Sequence, residues 1–282
     1  MKIVIFGHSG LIGSVVDDRL KKDNFEIIRI SRSNSAKIIL NIDQITYRDL
    51  SNLLSELKPE YILNFAGKVR QRIKTKEDEF SAIKQNIVFP GILDRCASEN
   101  DFKVISIGTD CVFSGSTGNY YEDSIHDGID LYSQSKSMGE SLSPNTMLLR
   151  SSVIGLGTDR GVSLVEWFKN LPNGSKCDGY ANHLWNGVTT TAIGDIITSI
   201  IKNNDFEAGV QHLVPSNVLS KLELLNQINK KLNKKIQVTE TQAQISKNMV
   251  LKTRNEKKNI RLWTQAGYET VPSINELVES MK

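Results

Sequence analysis

The stretch KIVIFGHSGLIG, residues 2–13, decides how the rest of the chain is interpreted. Its apolar run KIVIF is typical of a buried strand, and Gly7, Gly10 and Gly13 follow in a G-x-x-G-x-x-G spacing that opens a helical pattern. Glycines there permit a tight turn and a close backbone approach to a pyrophosphate at the N-terminus of the next helix. The stretch therefore predicts a dinucleotide-binding loop that includes Ser9. The alternative is a structural loop of similar composition.

Short apolar runs alternate with helix-length patterns over the first two thirds of the chain. This rhythm indicates βαβ units and a parallel sheet covered on both faces. We expect an α/β fold, a Rossmann-type doubly wound parallel sheet with a smaller C-terminal substrate-binding lobe. The expected cofactor-binding domain covers residues 1–155, with 189–210 returning to it, and the smaller lobe covers 156–282. The predicted strands are 2–6, 25–30, 37–42, 61–67, 102–108, 146–155 and 209–214.

Composition and charge limit the classes of function. The 282 residues carry 35 basic and 32 acidic side chains, a balance that does not favour nucleic-acid binding. The three cysteines lack metal-ligand spacing and are typical of free thiols in a reducing compartment, and we expect no metal site. No apolar run suits a signal peptide or a transmembrane helix, so the sequence favours a cytoplasmic protein without a membrane partner.

The end of the second strand indicates the kind of dinucleotide. A carboxylate at that point usually bonds the 2′-hydroxyl of an NAD ribose. This chain has Ser31, Arg32 and Ser33 instead, and a guanidinium with hydroxyls suits a 2′-phosphate. NADPH is therefore the predicted cofactor. The alternative is that Arg32 stacks on adenine or faces solvent, which leaves NADH usable.

Tyr132 and Lys136 in LYSQSKSMGE (131–140) are four residues apart, so a helix places them on one face. The ammonium would lower the pKa of the phenol and could hold a nicotinamide ribose. Thr109 follows the strand FKVISIG and would lie at the carboxyl end of the sheet, where open α/β folds bind ligands. We predict that Tyr132 donates a proton to a carbonyl oxygen that Thr109 orients. Taken alone, the Y-x-x-x-K spacing also fits a surface helix.

With these residues in view, the sequence resembles the extended short-chain dehydrogenase/reductases, and within them the dTDP-4-dehydrorhamnose reductase branch. The resemblance implies reduction, with NAD(P)H, of the C4 keto group of a nucleotide-linked 6-deoxy-4-ketohexose for surface polysaccharide synthesis. It covers most of residues 1–215. The matching segments are GHSGLIG, LNI (40–42), NFAG (64–67), IGTDCVF (107–113), YYED (120–123), YSQSKSMGE (132–140), LLRSSVIG (148–155) and WNGVTT (185–190).

The resemblance also implies positions for the cofactor. Three groups of residues would touch the pyrophosphate, flank the adenine and line the path to the nicotinamide. They are, in that order, Gly7, Gly10, Leu11 and Ile12; Asn41 and Ile42; and Phe65, Ala66 and Gly67. The sequence departs from the family's pattern near the expected substrate. Cys111 stands where Tyr is common, Val153 where Trp is common, and a basic KVRQRIKTK (68–76) replaces an acidic stretch.

The substrate is predicted to contact two regions of the chain. Trp185 and Asn186, in GYANHLWNGVTT (179–190), would form one wall of a sugar-nucleotide cleft. Lys68 and Arg70 would approach from the other side and could meet a diphosphate. The alternative is that 179–190 is a structural connector with Trp185 in a small core. The predicted substrate contacts are Lys68, Arg70, Asp110, Trp185 and Asn186.

Two other functions remain open at this point. A nucleotide-sugar 4-epimerase of the same superfamily would retain NAD and return the hydride, and the basic residue after the second strand argues against it. A non-catalytic NADP-binding regulatory subunit would need no catalytic residues, and the complete trio Thr109, Tyr132 and Lys136 argues against that role. The sequence also allows a homodimer.

Overall fold

The computed structural model describes residues 1–32, 36–157 and 163–281. The strands are β1 (Lys2–Phe6), β2 (Glu26–Ser31), β3 (Ile38–Ile39), β4 (Tyr61–Asn64), β5 (Lys103–Gly108), β6 (Met147–Arg150), β7 (Val153–Ile154), β8 (Lys176–Tyr180), β9 (His183–Trp185), β10 (Val188–Thr189), β11 (Gly209–His212), β12 (Leu219–Ser220), β13 (Gln237–Thr241) and β14 (Lys247–Asn248). The helices are α1 (Leu11–Leu20), α2 (Tyr47–Leu57), α3 (Lys76–Ile83), α4 (Phe89–Asn100), α5 (Leu131–Ser141), α6 (Leu164–Asn170), α7 (Thr190–Asn203), α8 (Lys221–Lys231), α9 (Glu256–Gln265) and α10 (Ile274–Ser280).

A parallel sheet of seven strands, counted over the described residues, forms the centre of the molecule, in the order β11-β6-β5-β4-β1-β2-β3. Side chains alternate between its two faces, as the pleat requires. Ile3 and Ile5 of β1 pack in a core with α1 and α7, whereas Val4 and Phe6 pack in a second core with α2 and α4. The predicted Rossmann-type, doubly wound α/β fold is confirmed. The strand order reverses between β1 and β4, and such a switch point is where open α/β sheets bind ligands.

The predicted helical segment over residues 75–99 is interrupted. A π-helical segment, Lys84–Val88, separates α3 from α4. Pro90 explains the break, because it has no N–H to donate to the carbonyl of Asn86 four residues earlier. The freed Asn86 carbonyl lies against α5, where a Cβ added to Gly139 would be 1.9 Å from that oxygen. Pro90 and Gly139 together therefore allow α5 to approach the sheet domain closely.

The predicted strand over residues 146–155 is also divided, since β6 ends at Arg150 and β7 begins at Val153. A smaller lobe contains the parallel pair β8 and β13, and a second small sheet has the order β12-β9-β14. Its core includes Phe168, Leu225 and Ile228. Trp263 of α9, however, is fully buried in the core of the large sheet. We propose that the two-lobe division holds with α9 assigned to the sheet domain.

Several expectations concern the chain as a whole. Cys96, Cys111 and Cys177 are free thiols. In the part of the chain that the structure describes, no helix is both long and apolar enough to cross a membrane. The same residues contain no group of three or more His, Cys, Asp and Glu side chains placed to hold a metal ion. The cytoplasmic location and the homodimer stay predictions.

Candidate active site

The loop between β1 and α1 has the geometry of a phosphate-binding turn. Gly7 has a φ of 78°, and a Cβ at this position would lie 2.7 Å from the backbone of Phe65 and Ala66. A Cβ on Gly13 would lie 2.1 Å from the Gly7 carbonyl oxygen. The first turn of α1 can therefore pack against this loop only because residues 7 and 13 are glycines. Gly10 is the N-cap of α1, and no side chain caps this end of the helix. The uncapped helix N-terminus can therefore receive an anionic group.

A cleft of about 270 Å³ opens at this loop, on the switch point between β1 and β4. Most of the predicted cofactor contacts line it: Gly7, Ser9, Gly10, Ser31, Arg32, Ile42, Phe65, Ala66 and Gly67. Leu11, Ile12 and Asn41 are outside its lining, and the Asn41 amide oxygen instead accepts the N–H of Asp43 at 3.2 Å. The cleft is open, follows a glycine loop and contains a guanidinium, and these features fit a dinucleotide.

Sequence reasoning missed four residues that line the cleft: Phe6, Ile30, Leu40 and Gln85. Phe6 ends β1, Ile30 is the last residue but one of β2, and Leu40 follows β3, so strand boundaries alone could have indicated them. Gln85 lies on the π-helical segment, and its amide donates to Asp43 at 2.7 Å and to Ser81 at 2.8 Å. The contact with Asp43 spans 42 residues of sequence, so no local sequence pattern could predict it.

Arg32 lies at the far end of the cleft and is exposed to solvent. Within residues 1–32, 36–157 and 163–281, the Arg32 side chain has no hydrogen bond or ion pair. The predicted contact Ser33 falls outside the described residues. The Arg32 guanidinium is thus placed to meet an anionic group on a ligand in the cleft.

The predicted catalytic residues meet at the carboxyl end of β5. Thr109 follows β5 directly, and its hydroxyl accepts the N–H of Cys111 at 3.2 Å. Tyr132 and Lys136 lie one turn apart on α5. Asp130 is the N-cap of this helix, and its carboxylate accepts the N–H of Ser133 at 3.2 Å. The Lys136 ammonium donates to the backbone carbonyl of Ile107 in β5 at 3.1 Å. The helix and the strand end therefore present the three side chains from two elements.

The electrostatics of Tyr132 are set mainly by its burial. Burial raises the pKa of the Tyr132 phenol well above its usual value, and the Cys111 and Asp110 side chains raise it further. The Thr109 hydroxyl and the Arg70 guanidinium oppose this and lower the pKa. The sequence predicted that the Lys136 ammonium would lower the pKa of Tyr132. In the structure, the Arg70 guanidinium is the cation that lowers this pKa. Burial lowers the pKa of Lys136 itself, partly offset by Glu140.

The predicted substrate residues after β4 already have protein partners. The Lys68 ammonium pairs with the Asp78 carboxylate at 2.6 Å, and this bond holds the pKa of Asp78 at about 2. Arg70 pairs with Asp130 at 2.7 Å. Both cations therefore lie close to the candidate site, and each would have to give up its ion pair in order to move. Asp110 is buried, and burial raises its pKa.

The position of Asn186 corrects the expectation that its amide is available to a substrate. Asn186 is 3% exposed. Its side chain donates to the carbonyl of Leu251 and accepts the N–H of Leu251, both at 2.8 Å. Trp185 is partly buried against the core of the smaller lobe. The segment 179–190 thus resembles the structural alternative, and we remove Asn186 from the proposed substrate contacts.

Replacing Asn186 with Ala is expected to lower the free energy of unfolding by about 2–4 kcal/mol, because two buried backbone groups of Leu251 lose their partner. Urea denaturation followed by circular dichroism measures the change. Asn182 is a matched control, since it holds the backbone of Ala243 in the same way but is less buried. Asn182→Ala should therefore destabilise less. An unchanged Asn186→Ala midpoint together with a raised KM for a sugar nucleotide would restore the substrate role.

A buried polar network lies behind the trio, and sequence reasoning did not find it. Arg150, at the end of β6, pairs with Glu140 at the end of α5 and contacts His126 at 3.0 Å and His212 at 2.8 Å. Burial, followed by the nearby Arg150, lowers the pKa of His212 to about 4, so this imidazole is neutral near pH 7. The ion pair ties the C-terminal end of α5 to the sheet. The segments GE (139–140) and LLR (148–150) contain its two charges but do not reveal the pairing.

The network continues to the C-terminal part of the chain through Glu122 in the YYED segment. The Glu122 carboxylate accepts hydrogen bonds from the Thr253 hydroxyl at 2.6 Å, the Arg254 N–H at 2.9 Å and the His212 N–H at 3.0 Å. These bonds, with burial opposing them, lower the pKa of Glu122. Residues 252–254 are therefore fixed next to the loop that leads into α5.

The sheet topology and the glycine loop place the chain among the oxidoreductases of the extended short-chain dehydrogenase/reductase class. The model of the family described as "RmlD substrate binding domain" matches residues 1–268, and the chain belongs to that family. The resemblance to the dTDP-4-dehydrorhamnose reductase branch, seen first in the sequence motifs, is confirmed.

Solved structures with the same fold include two dTDP-4-dehydrorhamnose reductases. The one from Clostridium acetobutylicum ATCC 824 has a TM-score of 0.80 at 21% identity, over 100% of this chain and 98% of that one. The one from Bacillus anthracis str. Ames, in complex with NADP, has a TM-score of 0.80 at 18% identity, over 99% and 98%. A dTDP-glucose 4,6-dehydratase from the same strain, in complex with NAD, has a TM-score of 0.73 at 16% identity, over 100% and 95%. At these identities the likeness establishes the fold.

Among curated proteins, the chain is similar to methionine adenosyltransferase 2 subunit beta of Xenopus tropicalis. The two are 24% identical over 139 residues, which is 49% of this chain and 41% of that protein. The Xenopus laevis subunit is 25% identical over the same shares. The matched part of the chain thus covers less than half the length of these relatives.

Proposed function

We propose that the protein is an NADPH-dependent reductase of the C4 keto group of a nucleotide-linked 6-deoxy-4-ketohexose. The observation that carries this proposal is the placement of Thr109, Tyr132 and Lys136 at the carboxyl end of the sheet that also forms the dinucleotide cleft. Membership of the RmlD family supports the sugar-nucleotide substrate. The product would serve the synthesis of surface polysaccharide precursors.

The proposed mechanism assigns each side chain a task. NADPH supplies a hydride when it is bound. Tyr132 donates its phenolic proton to the carbonyl oxygen, and the Thr109 hydroxyl, which already contacts the phenol, orients that oxygen. Lys136 supplies an ammonium one helical turn from Tyr132 and can also bond a ribose hydroxyl of the cofactor. Together these groups convert the ketone to a secondary alcohol.

The cofactor proposal rests on Arg32 and Ser31 at the end of the cleft. Arg32→Asp is expected to shift the ratio of kcat/KM for NADPH over that for NADH by more than about tenfold toward NADH, because a charge-assisted bond contributes ~1.5–3 kcal/mol. Steady-state kinetics with both cofactors measures the ratio. Arg48→Asp, on an exposed face of α2, should leave it unchanged. Equal ratios in wild type and Arg32→Asp would mean that Arg32 only faces solvent.

Turnover with purified protein tests the function itself. A panel of nucleotide-linked 4-keto sugars is mixed with NADPH, loss of the reduced nicotinamide is followed by absorbance, and thermal shift identifies the nucleotide preferred. Oxidation of NADPH with formation of the alcohol is the expected result. Tightly held NAD with interconversion of C4 stereoisomers and no net oxidation would instead indicate a 4-epimerase.

A second candidate function is a cofactor-binding subunit of another enzyme. The match to methionine adenosyltransferase 2 subunit beta favours it, although it covers about half of the chain. The intact trio argues against it. NADPH binding without turnover of any sugar nucleotide in the panel would favour this candidate over the reductase.

A further inference from the structure

Arg70 reaches the candidate catalytic tyrosine from a separate element. It begins the short turn Arg70–Arg72 after β4. Its guanidinium carbon lies 5.7 Å from the centroid of the Tyr132 ring. Nη2 donates to the Asp130 carboxylate at 2.7 Å and to the Ser133 hydroxyl at 3.1 Å. The first turn of α5 therefore holds the guanidinium against the phenol, while 48% of the Arg70 side chain remains exposed.

The contacts of Arg70 do not suit a cation whose task is to bind the diphosphate of a substrate, because its guanidinium already has partners in the protein. Two hydrogen bonds fix its Nη2 before any ligand arrives, and its remaining face is directed at an aromatic ring. We propose that Arg70 is a positioning residue of the proposed reductase, which fixes the Tyr132 ring and stabilises the phenolate formed as the proton leaves. This inference rests on the proposed function and adds a residue outside the trio to its mechanism.

The physical reason lies in the charge that develops during the reaction. The O–H bond of Tyr132 breaks and a new O–H bond forms on the carbonyl oxygen, while a hydride from NADPH adds to the carbonyl carbon. The ketone is thereby reduced to an alcohol, NADPH is oxidised to NADP⁺, and the negative charge remains on the phenol. A cation near an aromatic ring is attracted to it, and this attraction grows when the ring becomes anionic. Arg70 therefore favours the state after proton transfer more than the state before it.

Other ionisable groups near the Tyr132 phenol oppose its ionisation, and the positive charge of Arg70 offsets their effect. The turn after β5 presents Asp110 and Cys111, which both disfavour the phenolate. Asp130, the N-cap of α5, carries a negative charge two residues before Tyr132, and Lys136 lies one turn after it. Arg70 pairs directly with Asp130 and so also neutralises the anion nearest in sequence to the phenol.

The test compares Arg70→Gln and Arg70→Lys with Arg72→Gln, which removes an exposed guanidinium from the same turn. Arg70→Gln is expected to lower kcat about three- to thirtyfold, the range that a cation against an aromatic ring contributes. KM and NADPH affinity should stay unchanged, and the solvent isotope effect on kcat should rise because proton transfer becomes slower. Arg70→Lys should restore part of kcat, and Arg72→Gln should behave as wild type.

A second measurement is independent of turnover. Alkaline titration of tyrosinate absorbance, with the contribution of Tyr132 isolated by subtracting Tyr132→Phe, should show that Arg70→Gln needs a higher pH for the same ionised fraction. Identical titration curves would overturn the inference, as would a rise in KM alone or a change confined to the melting temperature. Absence of turnover by the wild type would reject the proposed function, and the titration would still decide the role of Arg70.

Discussion

Tyr132→Phe is expected to lower kcat for 4-keto sugar reduction by about 10²–10⁴-fold, the usual contribution of a positioned proton donor. The change removes one oxygen from a side chain that is mostly enclosed, so the helix and the dinucleotide cleft should be preserved. NADPH affinity is therefore expected to stay within about twofold of wild type, since the proposed site for most of the cofactor is the cleft at the β1–β4 switch point.

Steady-state kinetics and NADPH fluorescence titration separate these two effects. Tyr180→Phe makes the same chemical change in β8 of the smaller lobe and should leave kcat unaltered. If Tyr132→Phe kept more than about a tenth of wild-type kcat, the phenol could not be the proton donor, because that loss is below the usual range for general acid catalysis.

Lys136→Met is expected to lower kcat/KM by about 10²-fold or more, since the variant lacks the positive charge near the reacting oxygen. It should damage cofactor binding as well, because the ammonium is also the proposed partner of the nicotinamide ribose. Lys84→Met, on the exposed side of the π-helical segment, is the matched control and should retain activity. Loss of activity without any loss of NADPH affinity would exclude the ribose contact.

Lys136→Met is also expected to change how the free energy of unfolding depends on pH. Burial lowers the pKa of Lys136 in the folded protein, so the charged form is less favourable there than in the unfolded chain. This penalty is fully present below the lowered pKa and disappears as pH rises through the usual lysine value near ~10.4. Lys136→Met should therefore be more stable than wild type at neutral pH, and the difference should shrink in alkaline solution. Urea denaturation across pH measures it, and a difference that grew with pH would contradict the assignment.

The sequence predicted those parts of the site that depend on local spacing. Gly7 and Gly10 are fixed by the turn after one strand, and Tyr132 and Lys136 by one helical turn, so their neighbours in space are also neighbours in sequence. The fold followed for the same reason, because each βαβ unit is a local pattern. The interruption before Pro90 was missed, although a proline inside a helical pattern predicts a break.

Contacts between distant segments could not be predicted in this way. The residues that flank Asn186 in the sequence suggest an exposed segment. The fold, however, brings Leu251, which is 65 residues later, against the Asn186 amide. The pairing of Arg70 with Asp130 spans 60 residues, and the pairing of Arg150 with His212 spans 62. A charged residue can be recognised in a sequence, but its partner is decided by how the elements pack.

The bonds of the Glu122 carboxylate to Thr253 and Arg254 have a consequence for biosynthesis. A ribosome delivers the N-terminal part of a chain first, and domains begin to fold as they emerge. β1 to β6 and α5 are complete while residues 252–254 have still to be translated. A nascent chain therefore contains every member of the trio while Glu122 still lacks these two bonds. We therefore expect the loop that leads into α5 to reach its final position only after residues 252–254 have been translated.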